Sequence, residues 1–198
     1  LALVLLQPEE FFAMIYGDTD VNFNPSTGGR NFNNHFSTQN INGKGEIENL
    51  SEQYNSASDI SSTAGQMPRL LGLAQASKIV RQNPGMARHL NNNITGNEVA
   101  FGSIGDASTS EGMFFETINA AAVMQVPMAV AGYDDGFGIS VPIELQTAKS
   151  SISEALKGFS KEKDTNGIEI LTCKGWDYPE LVRTFSQGID HCRSTHTP

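Results

Sequence analysis

Asp106 and Asp135 each follow a short apolar run, and a single amphipathic stretch separates them. Residues 98–104 (EVAFGSI) lead into Gly105-Asp106, and residues 127–133 (PMAVAGY) lead into Asp134-Asp135. Between them Phe115, Ile118, Ala122 and Val126 recur at helical spacing, which predicts a helix over 111–125 with those residues on one face. Strand, helix and strand in that order make a βαβ unit. Its crossover leaves the strands parallel, with their carboxyl ends on one sheet edge, where open α/β folds bind ligands. The two carboxylates therefore meet at that edge. Acids also end strands simply as solvated turn formers, and Asp-Asp-Gly is a good turn. The residues after Asp106 add chemistry: Ala107, Ser108, Thr109 and Ser110 are small residues opening a helix, and the free amides of a helix start attract phosphate. Carboxylates alone would repel that anion, so the combination implies a divalent cation between acid and phosphate. Magnesium suits it, because it takes near-octahedral oxygen ligands from one or two carboxylates, substrate phosphates and water.

These residues carry a resemblance. Gly105-Asp106-Ala107 with Asp134-Asp135 resembles the thiamin diphosphate motif, which has Gly-Asp-Gly at one strand end and Asn-Asn at the next. The version here is most similar to the alpha subunit of the 2-oxo acid dehydrogenases of the pyruvate and branched-chain types. The likeness runs on through Gly112, Glu116, Asn119 and the Ala-Ala-Ala run to Pro127, then through Gly136-Phe137-Gly138-Ile139-Ser140. Upstream, GGRNFNNHF (28–36) resembles a glycine-rich stretch whose histidine approaches the active centre. SSTAGQMPRLLGLAQA (61–76) resembles the loop and helix preceding the diphosphate strand. The resemblance implies thiamin diphosphate and Mg2+ as cofactors, with Asp106 and Asp135 on the metal through their side chains and Phe137 through its backbone carbonyl. It implies Ala107 and Ser108 against the diphosphate, Ser61 and Thr63, aligned by Gln66, on the cofactor's other side, and His35 facing a 2-oxo acid. Tyr133 stands where the branched-chain type carries a cofactor-contacting arginine.

The activity implied is decarboxylation of a 2-oxo acid with acyl transfer to a lipoyl-bearing acyltransferase component. In this family the glutamate that activates the cofactor's aminopyrimidine comes from a beta subunit, or from a fused beta half. Glu111 and Glu116 read instead as helix residues, so the chain is expected to supply half of an active site and to be inactive alone. A transketolase-like ketol transfer shares the cofactor site but brings histidine-rich flanks, whereas only His35 stands in the matching region. A receiver-type signalling domain also gathers acids and magnesium, yet its Asp, Thr/Ser and Lys strand-end order is missing. A cofactor-free assembly remnant that still pairs with a beta subunit is the remaining alternative.

Three residues depart from the motif, in two places. Ala107 replaces a glycine, a small steric change wherever φ stays below zero, since only positive φ demands glycine. Asp134-Asp135 replaces two amides. At an effective dielectric of about 20, a unit charge about 4 Å away is worth roughly 4 kcal/mol, which draws magnesium in and repels the phosphates. Arg30 and Lys149 are candidates to offset that charge, and each also reads as an ordinary surface cation.

The elements that must position these residues are those of an α/β fold. The expected fold class is a doubly wound parallel sheet with helices on both faces, and residues 1–198 form a single diphosphate-binding domain. A helix is predicted over 66–90, with Pro68 in its first turn and Asn83-Pro84-Gly85 as its end or kink. A turn comes next at 91–97. Later come a helix at 144–159, a strand at 168–173 that carries Cys173 into the core, and a helix at 178–193. Residues 17–60, rich in Asn, Gly and Ser, read as an extended loop-rich segment. His191 and His196 read as solvated. The chain starts with LALVLL, too short for a membrane span and without the basic start of a signal peptide, so it is expected to be cut from a longer protein at both ends. The resemblance implies a Tyr-Arg cofactor pair before residue 1, and a further strand with a phosphate-contacting histidine loop after residue 198. At 198 residues and 38% hydrophobic, the chain can bury one substantial core. A net charge of -9 and a pI near 4.8 argue against nucleic-acid or anionic-membrane partners, which reward clustered Lys and Arg. Two cysteines without ligand spacing suit a reducing compartment, read as cytoplasmic with the mitochondrial matrix as the alternative.

Overall fold

The computed structural model of the chain describes residues 7–24, 28–30, 42, 44–46, 49, 56–57, 60, 62–87 and 95–198. Two units divide it, one of Leu1–Ser61 with Ala87–Asn93 and one of Ser62–Met86 with Ile94–Pro198. The expected site residues His35 and Ser61 lie outside the described residues, as do most of the 17–60 segment and the start of the turn at 91–97.

In the first unit α1 (Pro8–Ile15) opens with Pro8, whose missing N–H suits a first helical position, and the Glu10 carboxylate accepts from the Gln7 N–H at 2.8 Å. Met14 is its buried residue, and after it Asn24, also buried, donates from Nδ2 to the Asp18 carbonyl.

The second unit holds the strand–helix–strand. In α2 (Gln66–Gln82) Met67, Leu70, Ala74, Ser77 and Val80 make one buried stripe. The helix ends at Asn83, as the Asn-Pro-Gly signal predicts, and the short α3 (Pro84–Ala87) comes after it. Gly96 turns the chain with φ +80°. The Glu98 carboxylate accepts from the N–H groups of Thr95 (2.7 Å) and Gly96 (2.8 Å) and from the Thr95 hydroxyl (3.0 Å). Partial burial raises the Glu98 pKa, but these donors outweigh it and hold the carboxyl below its ordinary value. β1 (Ala100–Gly105) comes next, then a 3-10 turn at Ala107–Ser110, α4 (Gly112–Met124) and β2 (Met128–Tyr133). β1 and β2 pair in parallel from Ala100↔Met128 to Gly105↔Tyr133. Among the described residues these two strands are the whole parallel sheet.

The crossover helix sits where expected, but its buried face is shifted. Glu111 is extended (φ -74°, ψ 139°) and the helix begins at Gly112, and the set that packs into the core is Phe114, Thr117, Ile118, Ala121 and Ala122. Phe115 is on the outside, edge-on to the Phe114 ring at 5.4 Å. Val126 is buried beyond the helix, which Gln125 ends at φ 47°. Lys78 of α2 donates to the freed carbonyls of Met124 and Gln125, a basic cap on the negative helix end.

The stretch predicted as a helix over 144–159 is instead broken. A two-residue-per-strand hairpin, β3 (Phe137–Gly138) with β4 (Val141–Pro142), leads into 3-10 turns at Ile143–Leu145 and Ala148–Ser150, then α5 (Ile152–Ala155) and a 3-10 turn at Lys157–Phe159. Lys149 and Ser150 take positive φ, and Ser151 caps α5 by accepting from the Glu154 N–H. Serines compete with helix by bonding backbone, and a Thr-Ala-Lys-Ser-Ser run uses them as caps. The predicted strand at 168–173 is also absent, reduced to a bridge between Ser160 and Ile168. Its backbone bonds go elsewhere: the Ile168 N–H donates to Phe159, and the Glu169 N–H to Pro198. Cys173 is accordingly half-buried, and the buried cysteine is Cys192 of α6 (Tyr178–Thr195). His191 and His196 are half-buried rather than solvated.

Neighbouring β1 residues face opposite ways. A Cβ on Gly102 would lie 2.8 Å from Leu70 of α2, whereas the Phe101 ring meets Phe185 of α6 at 5.9 Å. Helices thus cover both faces of the strand pair. The core gathers Met67, Leu70 and Ala74 with Ile104, Phe114, Ile118, Ala121, Val126 and Met128.

Two outcomes test this packing. Gly96→Ala puts a Cβ 2.6 Å from the Arg81 backbone at a positive φ, and is expected to lower stability by about 2 kcal/mol in urea unfolding. Burial pushes the Cys192 thiol up to about 11, so mass-spectrometric alkylation of the native protein at pH 8 is expected to label Cys173 well before Cys192.

Candidate functional site

Because Gly105 and Tyr133 are paired, the loops after β1 and β2 leave the sheet side by side. Asp106 is the first residue of one loop and is only 3% exposed. Its carbonyl accepts from the Thr109 N–H (3.1 Å) and hydroxyl (2.6 Å), which closes the 3-10 turn behind it. Its Oδ2 accepts from the Gly136 N–H of the other loop at 2.9 Å. Its Oδ1 is buried without a hydrogen-bond partner among the described residues. Burial raises the Asp106 pKa, the Gly136 N–H opposes that, and the like charges of Asp134 and Asp135 raise it further.

The second loop is shaped by its own acids. Asp135, exposed, accepts from the Phe137 N–H at 3.2 Å, and Asp134 accepts from the Ile152 N–H at 3.2 Å, tying the loop to the start of α5. Gly136 has φ +88°, which glycine adopts without strain and which turns its N–H onto Asp106. Phe137 faces Pro142 across the hairpin as a non-hydrogen-bonded pair, since the Ile143 N–H donates to the Gly136 carbonyl beside it at 2.9 Å, and the Phe137 carbonyl points away from β4. Ser110 donates to the Gln146 carbonyl at 3.0 Å, a second tie between the loops.

Other expected residues fall around this edge. Ala107 and Ser108 are half-buried in the first turn after Asp106, and Tyr133 stands exposed at the end of β2. Thr63 is exposed in the turn before α2, and Gln66 of that helix donates to the Ser103 carbonyl at 3.3 Å, which brings the turn to the carboxyl end of β1. Ala107 keeps a negative φ, so its methyl strains nothing. Room for that methyl comes from Gly138, where a Cβ would lie 2.5 Å from Ala107 Cβ. Of the two proposed counter-charges, Lys149 acts on Glu154, whose carboxyl the Lys157 ammonium at 2.6 Å holds below its ordinary value, with a smaller pull from Lys149.

Gly136, Gly138 and Gln146 were missed as site-building residues. The Asp-Asp-Gly triplet carried the signal for the first, while the other two are readable only once the loops are seen to touch.

Among the described residues no three His, Cys, Asp or Glu side chains converge as a metal cluster. Magnesium needs no such cluster when phosphate oxygens and water complete its shell. A buried carboxylate oxygen with no donor among the described residues, a second carboxylate on the adjoining loop and a backbone carbonyl that points out of its hairpin are a donor set that fits it.

Mixed helix and parallel sheet with acids at the strand ends define an α/β protein with a candidate ligand edge. The chain belongs to the dehydrogenase E1 component family, whose model matches residues 2–198. It is 25% identical over 174 residues to the 2-oxoisovalerate dehydrogenase subunit alpha of Bacillus subtilis, covering 88% of this chain and 42% of that protein. The chain thus spans about two fifths of the curated relative it matches.

The contact between positions 107 and 138 gives a test. Gly138→Ala is expected to lower the melting temperature by several degrees, and Ala107→Gly in the same chain to recover part of the loss, since Gln146 crowds the new methyl as well.

Proposed function

We propose that the chain is the diphosphate-binding part of a 2-oxo acid dehydrogenase that uses thiamin diphosphate and Mg2+, on a doubly wound α/β domain spanning 1–198. The observation that carries this is the buried, donor-less Oδ1 of Asp106 at the edge where two strand-end loops meet. A buried carboxylate oxygen costs free energy unless something cationic or a donor reaches it. A divalent ion does so.

In this reading Asp106 would hold magnesium through Oδ1 while Oδ2 stays on the Gly136 N–H, and Asp135 and the Phe137 carbonyl would complete the protein's share. Ala107 and Ser108 would lie against the diphosphate, with Thr63 and Tyr133 beside the cofactor. The resemblance assigns Ser61 to the cofactor and His35 to the 2-oxo acid, and both lie outside the described residues. Thiamin diphosphate, when bound, supplies the carbanion chemistry of decarboxylation. This chain's residues bind it and orient it. The acyl group goes to the lipoyl-bearing acyltransferase component. The activating glutamate comes from a beta subunit or a fused beta half, so this part alone is inactive. Two free cysteines support a cytoplasmic setting.

Calorimetric titration of thiamin diphosphate with Mg2+ into the full-length protein with its beta part tests the reading. Binding is expected to require Mg2+, and Asp106→Ala to weaken it more than about 100-fold, beyond what loss of an outer-shell partner does. Equal binding by Asp106→Ala would overturn the assignment of the metal ligand, and no binding by the unmutated protein would overturn the function.

A further inference from the structure

We propose that this site takes up a divalent cation by itself, before any diphosphate arrives, because Asp135 adds a second carboxylate beside the buried Asp106 where the family motif has an amide. The inference rests on the cofactor site proposed above and concerns the order in which that site fills.

Three observations lead to it. Asp106 is 3% exposed and its Oδ1 has no hydrogen-bond partner among the described residues, so that oxygen keeps an unfilled acceptor position in the folded chain. Asp134 and Asp135 immediately precede Gly136, whose N–H donates to Asp106 Oδ2 at 2.9 Å, so that loop brings two further carboxylates to the same sheet edge. The two acids are not equivalent. Asp134 accepts from the Ile152 N–H and serves as a loop anchor, whereas Asp135, exposed and held among the described residues only by the neighbouring Phe137 N–H, can turn its second oxygen to an ion.

Charge then sets the order. With an amide at 135, the protein offers one formal charge and two neutral oxygens, and the diphosphate must supply the remaining charge to keep a divalent ion in place. With Asp135 the protein offers two charges, which balance the ion before the diphosphate is present. A diphosphate approaching the bare site meets uncompensated carboxylates and is repelled, while one approaching the loaded site meets a neutralised edge. Cation first is therefore the productive order here.

The test is an electron paramagnetic resonance titration of Mn2+ into the full-length protein with its beta part. The titration is run with Mn2+ alone and then with thiamin diphosphate added. Uptake of Mn2+ without diphosphate is expected, and Asp135→Asn should weaken it about tenfold or more. The asparagine still accepts from the Phe137 N–H, so the loop is preserved. Asp135→Glu should retain uptake, and Asp134→Asn should change it only a few-fold. Uptake that begins only when thiamin diphosphate is added, or equal uptake by the Asp135→Asn protein, overturns the inference. The second stage judges the underlying reading separately: no thiamin diphosphate binding at saturating Mn2+ removes the proposed function, whatever the ion does alone.

Discussion

Parallel pairing of β1 with β2, carried to Gly105 opposite Tyr133, is the constraint on which the site depends. It forces two loops out of the sheet at one edge and allows the Gly136 N–H to reach Asp106. A carboxylate this deeply buried is expensive, and a single backbone donor leaves half of its acceptor capacity unmet. The like charges of Asp134 and Asp135 on the neighbouring loop push the Asp106 carboxyl further in the same direction as its burial. Such unsatisfied groups are uncommon in native interiors and gather where a ligand binds.

The loops that hold this arrangement are braced locally rather than by a regular element. Asp134 anchors its loop to the start of α5, Ser110 ties the first loop to Gln146, and Gly138 admits the Ala107 methyl. Each brace joins residues far apart in sequence, so a departure at one position is absorbed by a specific neighbour. Ala107 in place of the motif's glycine is the clearest case: the missing side chain at 138 makes the space that the extra methyl occupies.

Membership of the dehydrogenase E1 component family covers nearly the whole chain, while the curated alpha subunit it resembles is more than twice as long as the matched part. What the chain contributes on the proposed reading is therefore positioning: a metal-holding edge and a diphosphate cradle, with the activating acid and the acyl acceptor supplied by partners. Electrostatic preorganisation of this kind is the protein's part in cofactor chemistry.

Local signals in the sequence determined a good deal. The strand–helix–strand order, the break at Asn83-Pro84 and the helix after Asp177 arise from apolar periodicity and capping, which act over a few residues. The acids at the strand ends and the family motif were equally legible. Other features needed the folded chain. The crossover helix buried Phe114 rather than Phe115 because packing against α2 and the strand pair chooses which side of a helix turns inward. The stretch after Pro142 broke into turns where serine caps competed with helix, and Ile168 and Glu169 gave their hydrogen bonds to the Phe159 turn and the C-terminal tail. The same holds at the site. Sequence named Asp106 and Asp135, but only tertiary structure decided that one is buried with an unmet oxygen and the other exposed, because burial and hydrogen-bond partners depend on which loops the sheet brings together.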